Sequence, residues 1–212
     1  MNGSDLHSST SSPNPEPTDA STVPGQLVVV SGPSGVGKST IVEGLRTSWP
    51  FHFSVSVTTR PAREHERDGI DYRFVSREEF TNLIEAAALL EWAQYAEHLY
   101  GTPRAAIVDT LAIGTNVLLD IEVNGAIQVM EAYPEALTIF IKPPSLEVLE
   151  ARLRGREDTG EYAIEGRLAV AEMQMAVGED RFDYQVVNDD VETAIDRIVR
   201  ILTAPNPPYS EV

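Results

Sequence analysis

The residues of this chain best able to do chemistry stand at 32–39, where Gly32-Pro33-Ser34-Gly35-Val36-Gly37-Lys38-Ser39 fits the pattern G-x-x-x-x-G-K-[ST]. Glycines at 32 and 37 let the backbone take unusual dihedrals and approach oxygen atoms closely, so that consecutive N–H groups face a phosphate. Lys38 is expected to reach the β- and γ-phosphates, Ser39 to ligate Mg²⁺, and Thr40 to close the run of phosphate-facing residues. A helix beginning here adds the partial positive charge of its N-terminus.

Such a loop works only between a strand and a helix, and both are legible. Leu27-Val28-Val29-Val30-Ser31 is a short continuous apolar run, the mark of a strand covered on both faces. Residues 39–46 have helical period, with Ile41 and Leu45 four apart. Apolar runs at 116–121, 137–141 and 184–187 predict further strands, and 145–156, 161–177 and 191–203 predict helices. Strands alternating with helices predict an α/β fold, a doubly wound parallel sheet of the P-loop NTPase type with helices on both faces. Asp120, ending the run Val117-Leu118-Leu119, is placed to orient Mg²⁺ directly or through water, and a strand-terminal cap would look the same.

Between these stretches, residues 53–103 change character. Phe53-Ser54-Val55-Ser56-Val57 and Tyr72-Arg73-Phe74-Val75 have strand period and 77–90 has helical period, which predicts an inserted β-rich subdomain. Residues 1–24 are dominated by Ser, Thr, Pro, Asn and Asp with almost no apolar pattern, so a disordered tail is expected there, and 205–212 reads as a flexible C-terminus. No internal repeat is present, and nothing in the pattern sets an oligomeric state.

Composition narrows the chemistry. The 212 residues contain no cysteine, which removes thiolate metal sites, cysteine nucleophiles and disulfides, and the cytoplasm is the expected compartment. No run approaches the roughly 18 apolar residues of a membrane span, and no export signal accompanies Asn2-Gly3-Ser4, so neither a membrane partner nor glycosylation is expected. A formal charge of -17 opposes non-specific nucleic-acid binding. Of the 16 cationic residues only Lys38 and Lys142 are lysines, and the arginines cluster near 60–67, 73–77 and 152–156. Local basic clusters in an acidic chain suit a small, highly anionic ligand. The Asn-Lys-x-Asp signature of guanine-specific switch GTPases is missing, since neither lysine follows an asparagine.

Arg60 and Arg63 flank a proline-stiffened turn in Thr58-Thr59-Arg60-Pro61-Ala62-Arg63, where they could clamp one phosphate; a solvated basic turn has the same pattern. Here the chain resembles the guanylate kinase family. The likeness runs through GPSGVGKST at 32–40, SVSVTTRPAR at 54–63, DYRFV at 71–75, Glu91-Trp92-Ala93 and Tyr100-Gly101-Thr102. It continues through LDIEVNGA at 119–126, IKPPS at 141–145, Arg152-Leu153 with Arg156, and VNDD at 187–190, so that it covers roughly 26–203.

The resemblance implies a core of about 25–52, 104–144 and 183–204, a GMP-binding subdomain of about 53–103 and a helical lid of about 145–182, within a domain of 25–204. It implies that ATP and GMP are the substrates, with Mg²⁺ as cofactor. Arg60, Arg63, Tyr72 and Tyr100 match residues that hold the GMP phosphate, while Ser56, Glu91 and Thr102 match those that read the base. A carboxylate can accept both N1–H and N2–H of guanine, whereas adenine offers neither. Arg152, Arg156 and Arg167 match lid arginines that close over the transferring phosphoryl group, although a helical salt-bridge stripe would share the Arg152–Arg156 spacing. Asn188 matches a position near the adenine, and a turn-forming Asn-Asp pair reads alike.

Three positions depart from the family pattern: Glu122 stands where aspartate is common, Asn124 where glutamine is usual, and Glu97 where glycine is common. Glu122 keeps a carboxylate that could face either guanine or the metal. Two other readings remain at this level, a catalytically silent scaffold domain and a kinase for another phosphorylated acceptor; the intact Gly37, Lys38 and Ser39 oppose the first, and Ser56, Glu91 and Thr102 the second.

Overall fold

The computed structural model of the chain describes residues 23–95, 97–155 and 161–204. The expected tail lies outside them except for Val23 and Pro24, and so do 205–212 and Arg156.

Five parallel strands form the main sheet in the order β2-β7-β1-β8-β9. They are β1 (Leu27–Ser31), β2 (His52–Phe53), β7 (Val117–Asp120), β8 (Leu137–Lys142) and β9 (Tyr184–Val187). All five residues of β1 are buried, as its β-branched run and central place require. Because side chains alternate across a strand, Val28 and Val30 face one side and Leu27 and Val29 the other. Helices α1 (Lys38–Ser48) and α7 (Val191–Thr203) cover the first side through Ile41, Leu45 and Ile198. Helices α3 (Arg104–Ala112) and α4 (Val123–Ala132), with the end of α6 (Glu161–Arg181), cover the second around Phe140 and Phe182.

A second sheet, in the order β4-β3-β6-β5, is built from β3 (Val57–Thr58), β4 (Arg73–Phe74), β5 (Leu89–Tyr95) and β6 (His98–Pro103). Helix α2 (Arg77–Glu85) starts at a capping box between Ser76 and Glu79 and buries Phe80 against Val57, Leu89 and Leu99. Helix α5 (Leu146–Arg154) packs Leu149 and Leu153 against Ile164 and Ala171 of α6. Among the described residues no helix is long and apolar enough to cross a membrane.

Two local readings of the sequence are corrected. The strand expected over 53–57 is two strands in different sheets: His52–Phe53 pairs with β7, and Val57–Thr58 pairs with β4 and β6. The Ser/Val alternation continues through the crossover, so periodicity alone cannot mark where the chain changes sheets. The helix expected over 77–90 stops at Glu85, and Ala87 turns the chain at φ 49° into β5. A non-glycine residue there costs about 1–2 kcal/mol. The gain is that adjacent Leu89 and Leu90, on opposite faces of β5, enter the small core and the main core respectively.

Packing on the second face of the main sheet leaves no slack at Gly178. A Cβ there would lie 2.4–2.6 Å from ring carbons of the fully buried Phe140. We expect Gly178→Ala to lose about 1–3 kcal/mol of stability by overpacking, outweighing the ~1 kcal/mol that alanine gains in a helix. Urea unfolding checks this, with a lowered midpoint expected and no change in slope.

Candidate active site

The loop between β1 and α1 is tied down at both ends. Ser31 Oγ donates to the Ile121 carbonyl at 2.8 Å, fixing the end of β1 to the end of β7. Gly32 has φ +152° and a Cβ there would meet the Ile141 carbonyl oxygen at 2.4 Å; Gly37 has φ +97° and its Cβ would meet Asn188 Nδ2 at 2.5 Å. Helix α1 is capped by that glycine, with no side-chain cap and no acid in its first turn. Its leading N–H groups are thus left for an anion rather than for a cap. Val36 and Pro33 are buried, while Ser34, Ser39 and Thr40 are exposed, and Gly35 turns at φ +86°.

Lys38 folds back over the loop, Nζ donating to the Gly32 carbonyl at 2.7 Å. Burial pushes its ammonium pKa down, and the carboxylates of Asp120 and Glu122 pull it back up. Asp120 pairs in register with Val30, and burial raises its carboxyl pKa while Lys38 opposes that. The pair sets one cation and one carboxylate at the mouth of the loop. Glu122 is the exposed residue preceding α4 and caps it with no side-chain bond.

Across the cleft, β5 and β6 pair Glu91 with Thr102. Both side chains are buried, and Thr102 Oγ1 donates to Glu91 Oε1 at 2.6 Å. Burial raises the Glu91 pKa, with the Thr102 bonds opposing it. The first turn of α4 comes up against the other oxygen: a Cβ at Gly125 would sit 2.7 Å from Oε2. Tyr72 and Tyr100 meet edge to face at 6.2 Å, and the Arg60 guanidinium lies 5.5 Å from the Tyr72 ring. Arg60 is gripped through both nitrogens by Glu66, at 2.9 and 2.7 Å, and Glu66 also accepts the Arg63 N–H at 2.7 Å. These bonds hold the Glu66 carboxyl down at about 2. The Arg63 side chain is exposed.

One cavity of about 770 Å³ brings the two halves together. The loop residues Gly32, Pro33, Ser34, Gly35, Gly37, Lys38, Ser39 and Thr40 line it with Asp120, Glu122, Ser56, Tyr72, Glu91, Tyr100 and Arg167. Thr102 lines a smaller chamber of about 160 Å³ that shares Ser56, Tyr72 and Asp120 with it. Arg152 and Asn188 stand behind the loop rather than among the lining residues: Arg152 donates to the Val36 and Asn188 carbonyls at 3.3 and 2.9 Å, and Asn188 Nδ2 donates to Val36 at 2.7 Å. Arg156 lies outside the described residues. Asn124 is exposed on α4, and the Glu97 carbonyl accepts from Arg77 at 3.3 Å.

Sequence reasoning missed Glu66, Gly125 and the cavity-lining Gln94, Val170 and Gln174. An acid inside the basic stretch 60–67, which holds Glu64 as well as Glu66, and a glycine inside a helical pattern, were the available signals for the first two. The glutamines and Val170 carried none.

A fully buried strand feeding a capless, glycine-rich loop, with a strand-end carboxylate beside it, defines a P-loop nucleotide-binding protein, here with a second small sheet facing the loop. The particular family follows from likeness to known proteins. The guanylate kinase family model matches residues 24–205. Guanylate kinase from Synechococcus sp. (strain JA-3-3Ab) is 51% identical over 184 residues, covering 86% of this chain and 84% of that protein. The Thermosynechococcus vestitus guanylate kinase is 50% identical over 191 residues, covering 90% of this chain and 100% of that one. A crystal structure of guanylate kinase from Anaplasma phagocytophilum superposes with a TM-score of 0.67 at 36% identity, covering 85% of each chain. The chain belongs to the guanylate kinase family, whose members are ATP-dependent nucleoside monophosphate kinases.

Gly125 offers a test of the carboxylate's setting. Gly125→Ala should push the Glu91 carboxylate off its bond to Thr102 and raise the KM for the nucleotide acceptor about tenfold, equivalent to about 1.4 kcal/mol. The KM for ATP should stay within twofold. Steady-state kinetics with each substrate varied in turn separates the two.

Proposed function

We propose that this chain transfers the γ-phosphoryl group of ATP to GMP, giving ADP and GDP, with dGMP as a further acceptor. The observation that carries this reading is the buried Glu91 carboxylate, bonded to Thr102 and facing the same cavity as the phosphate loop. Burial desolvates that carboxylate, and the Thr102 bonds offset only part of the cost. Guanine supplies N1–H and N2–H to it, whereas adenine would leave it unpaired.

In this reading the main sheet with its helices, about 25–52, 104–144 and 183–204, forms the core. Residues 53–103 form the GMP-binding subdomain and 145–182 the lid. Ser56, Glu91, Thr102 and Glu122 read the base, and Arg60, Arg63, Tyr72 and Tyr100 hold the GMP phosphate. Glu66 keeps the Arg60 guanidinium in one plane beside Tyr72, so less rotamer freedom is lost when the phosphate arrives.

The loop from Gly32 to Thr40 cradles the ATP phosphates on its N–H groups. Lys38 leaves the Gly32 carbonyl for the β- and γ-phosphates, a move made cheaper because its ammonium is already partly desolvated. Arg60 and Arg167 from α6 neutralise charge on the transferring group, joined by Arg156 on lid closure, while Arg152, which the resemblance also sets there, is engaged behind the loop on the Val36 and Asn188 carbonyls. A GMP phosphate oxygen is an adequate nucleophile, so no general base is assigned. Closure excludes water that would otherwise take the phosphoryl group.

Ser39 and Asp120 fit Mg²⁺. Both are hard oxygen donors on the cavity beside Lys38, and nucleotide-bound Mg²⁺ takes one or two protein oxygens plus phosphates and waters rather than a protein cage. When bound, Mg²⁺ offsets charge on the β- and γ-oxygens. A cytoplasmic location, where both nucleotides are drawn upon, goes with this activity.

Three measurements test the reading. In a coupled assay of GMP, dGMP, IMP, UMP and AMP, kcat/KM for AMP should fall below that for GMP by on the order of 10⁴, with IMP, which keeps N1–H and lacks the 2-amino group, in between. A preference for AMP would overturn the assignment of Glu91. Lys38→Ala should lower kcat by about 10²–10³ with an unchanged thermal midpoint, and near-normal turnover would sink the mechanism. The third is pH dependence: because the Glu91 pKa is raised above the ordinary ~4.3, its carboxylate is lost at higher pH than an exposed glutamate's. GMP affinity should therefore be full well above that raised pKa and decline as pH falls through it, and Glu91→Gln should be weak and flat across the same range.

A further inference from the structure

Val36, two residues before the lysine of the phosphate loop, is fully buried, and its carbonyl oxygen takes two side-chain donors. Asn188 Nδ2 lies at 2.7 Å and Arg152 Nη1 at 3.3 Å. The holders are themselves tied together. Arg152 Nη2 donates to the Asn188 carbonyl at 2.9 Å, and the Asn188 N–H donates to the Lys142 carbonyl at 2.8 Å, at the end of β8. One loop carbonyl is thus anchored to α5, to the end of β8 and to the junction of β9 with α7.

The peptide that carries this carbonyl also carries the Gly37 N–H. No cis peptide occurs among the described residues, and in a trans peptide C=O and N–H point in opposite directions. Drawing the Val36 carbonyl back into the body therefore turns the Gly37 N–H outward, toward the cavity that Gly37 lines. The requirement for glycine at 37 follows from the same contact: φ is +97°, and a Cβ would stand 2.5 Å from Asn188 Nδ2. The asparagine amide occupies the space where a side chain at 37 would go.

Asn188 is 2% exposed and is not among the residues lining the cavity. Its Oδ1 is buried with no hydrogen-bond partner among the described residues. Since the Val36 oxygen can only accept, the amide must present its NH₂ end there. A buried acceptor without a partner is a standing cost, and it is tolerated for what the other end of the amide holds.

We infer that Asn188, with Arg152 behind it, is a positioning residue for the phosphate loop: it holds the Val36 carbonyl so that the Gly37 N–H is aimed at the triphosphate. Its action falls on the phosphates whatever base they carry. This differs from the adenine-side role that the sequence resemblance implies for Asn188, and it rests on the phosphate-loop reading alone, not on the choice of GMP as acceptor.

A base-free ligand separates the two roles. Binding of Mg²⁺·tripolyphosphate and of GMP to the full chain would be measured by calorimetry for the parent and for Asn188→Asp, which keeps the size but sets an acceptor against the Val36 carbonyl. Asn188→Ala, which removes the donor without adding charge, carries the same test should the aspartate variant not fold. We expect tripolyphosphate to bind at least tenfold more weakly in the variants, GMP to change by less than twofold, and the Gly37 amide resonance to move already in the ligand-free protein. Tripolyphosphate affinity within twofold of the parent, with ATP alone weakened, would make Asn188 a base contact and overturn the inference. An unmoved Gly37 resonance would overturn it as well. Failure of the parent to bind GMP would sink the acceptor assignment while leaving the tripolyphosphate comparison intact.

Discussion

The constraint on which the rest of the structure depends is that a row of backbone N–H groups must stay unpaired in the protein and yet be held still. Helix α1 forgoes a side-chain cap and begins on a left-handed glycine, so its leading donors have no internal partner. Unpaired donors tend to recruit nearby acceptors or water, and only stiff surroundings keep them aimed. The stiffness comes from β1, buried at every residue and paired on both sides, and from the bonds of Ser31 to Ile121 and of Asn188 and Arg152 to Val36. Lys38 donates to the Gly32 carbonyl, which keeps the cation at the loop. A parallel sheet is the natural platform because it delivers the ends of β1, β7 and β8 to the same edge, and with them the loop, Asp120 and Lys142.

The second sheet solves a different problem, that of burying a carboxylate without neutralising it. Desolvation raises the Glu91 pKa, and the Thr102 bonds oppose it. Placing Glu91 and Thr102 as direct partners on antiparallel β5 and β6 lets one strand pair supply both the acid and its donor, with no loop to order. Gly125 leaves room for the outer oxygen against the first turn of α4, where the helix N-terminus also favours negative charge. Leu89 and Leu90 at the start of β5 fix this carboxylate relative to the main sheet, one leucine in each core. The short stretch of chain that joins the two cores therefore also sets the distance between Glu91 and the phosphate loop.

How much of this the sequence disclosed depended on whether a feature was local. The phosphate loop, the strand before it and the helix after it are contiguous, and their residue types admit few other conformations, so they were legible from spacing alone. Most main-sheet strands and the last three helices were legible for the same reason. What was lost depends on tertiary contacts. Ala86-Ala87-Ala88 reads as helix and turns instead because two leucines are wanted in different cores; Ser54-Val55-Ser56 reads as strand and serves as the passage between sheets. Helices α3 and α4 went unread, α3 being nearly uniform around its circumference and α4 starting without a side-chain cap. In the site, Glu91 and Thr102 stand eleven residues apart, and only the family resemblance, not their spacing, joined them. Glu66 was hidden because an acid among arginines looks like a solvated surface, and the bond of Asn188 to Val36 because the two stand 152 residues apart.

A net charge of -17 might seem ill suited to a protein whose two ligands are both anions. The range of the forces resolves this. At physiological ionic strength the Debye length is about 8 Å, so exposed acids farther off than that contribute little at the bottom of the cleft. Within it Lys38, the loop N–H groups and Arg167 line one cavity, with Arg60 beside its Tyr72, and they share it with the carboxylates of Glu91, Asp120 and Glu122. The scattered acids act on a different class of ligand. A nucleic-acid strand must lie along many surface positions at once and meets repulsion at each, whereas a mononucleotide needs only the cleft. Acidity spread over a surface thus disfavours a polyanion lying along it more than a mononucleotide that meets the cleft alone.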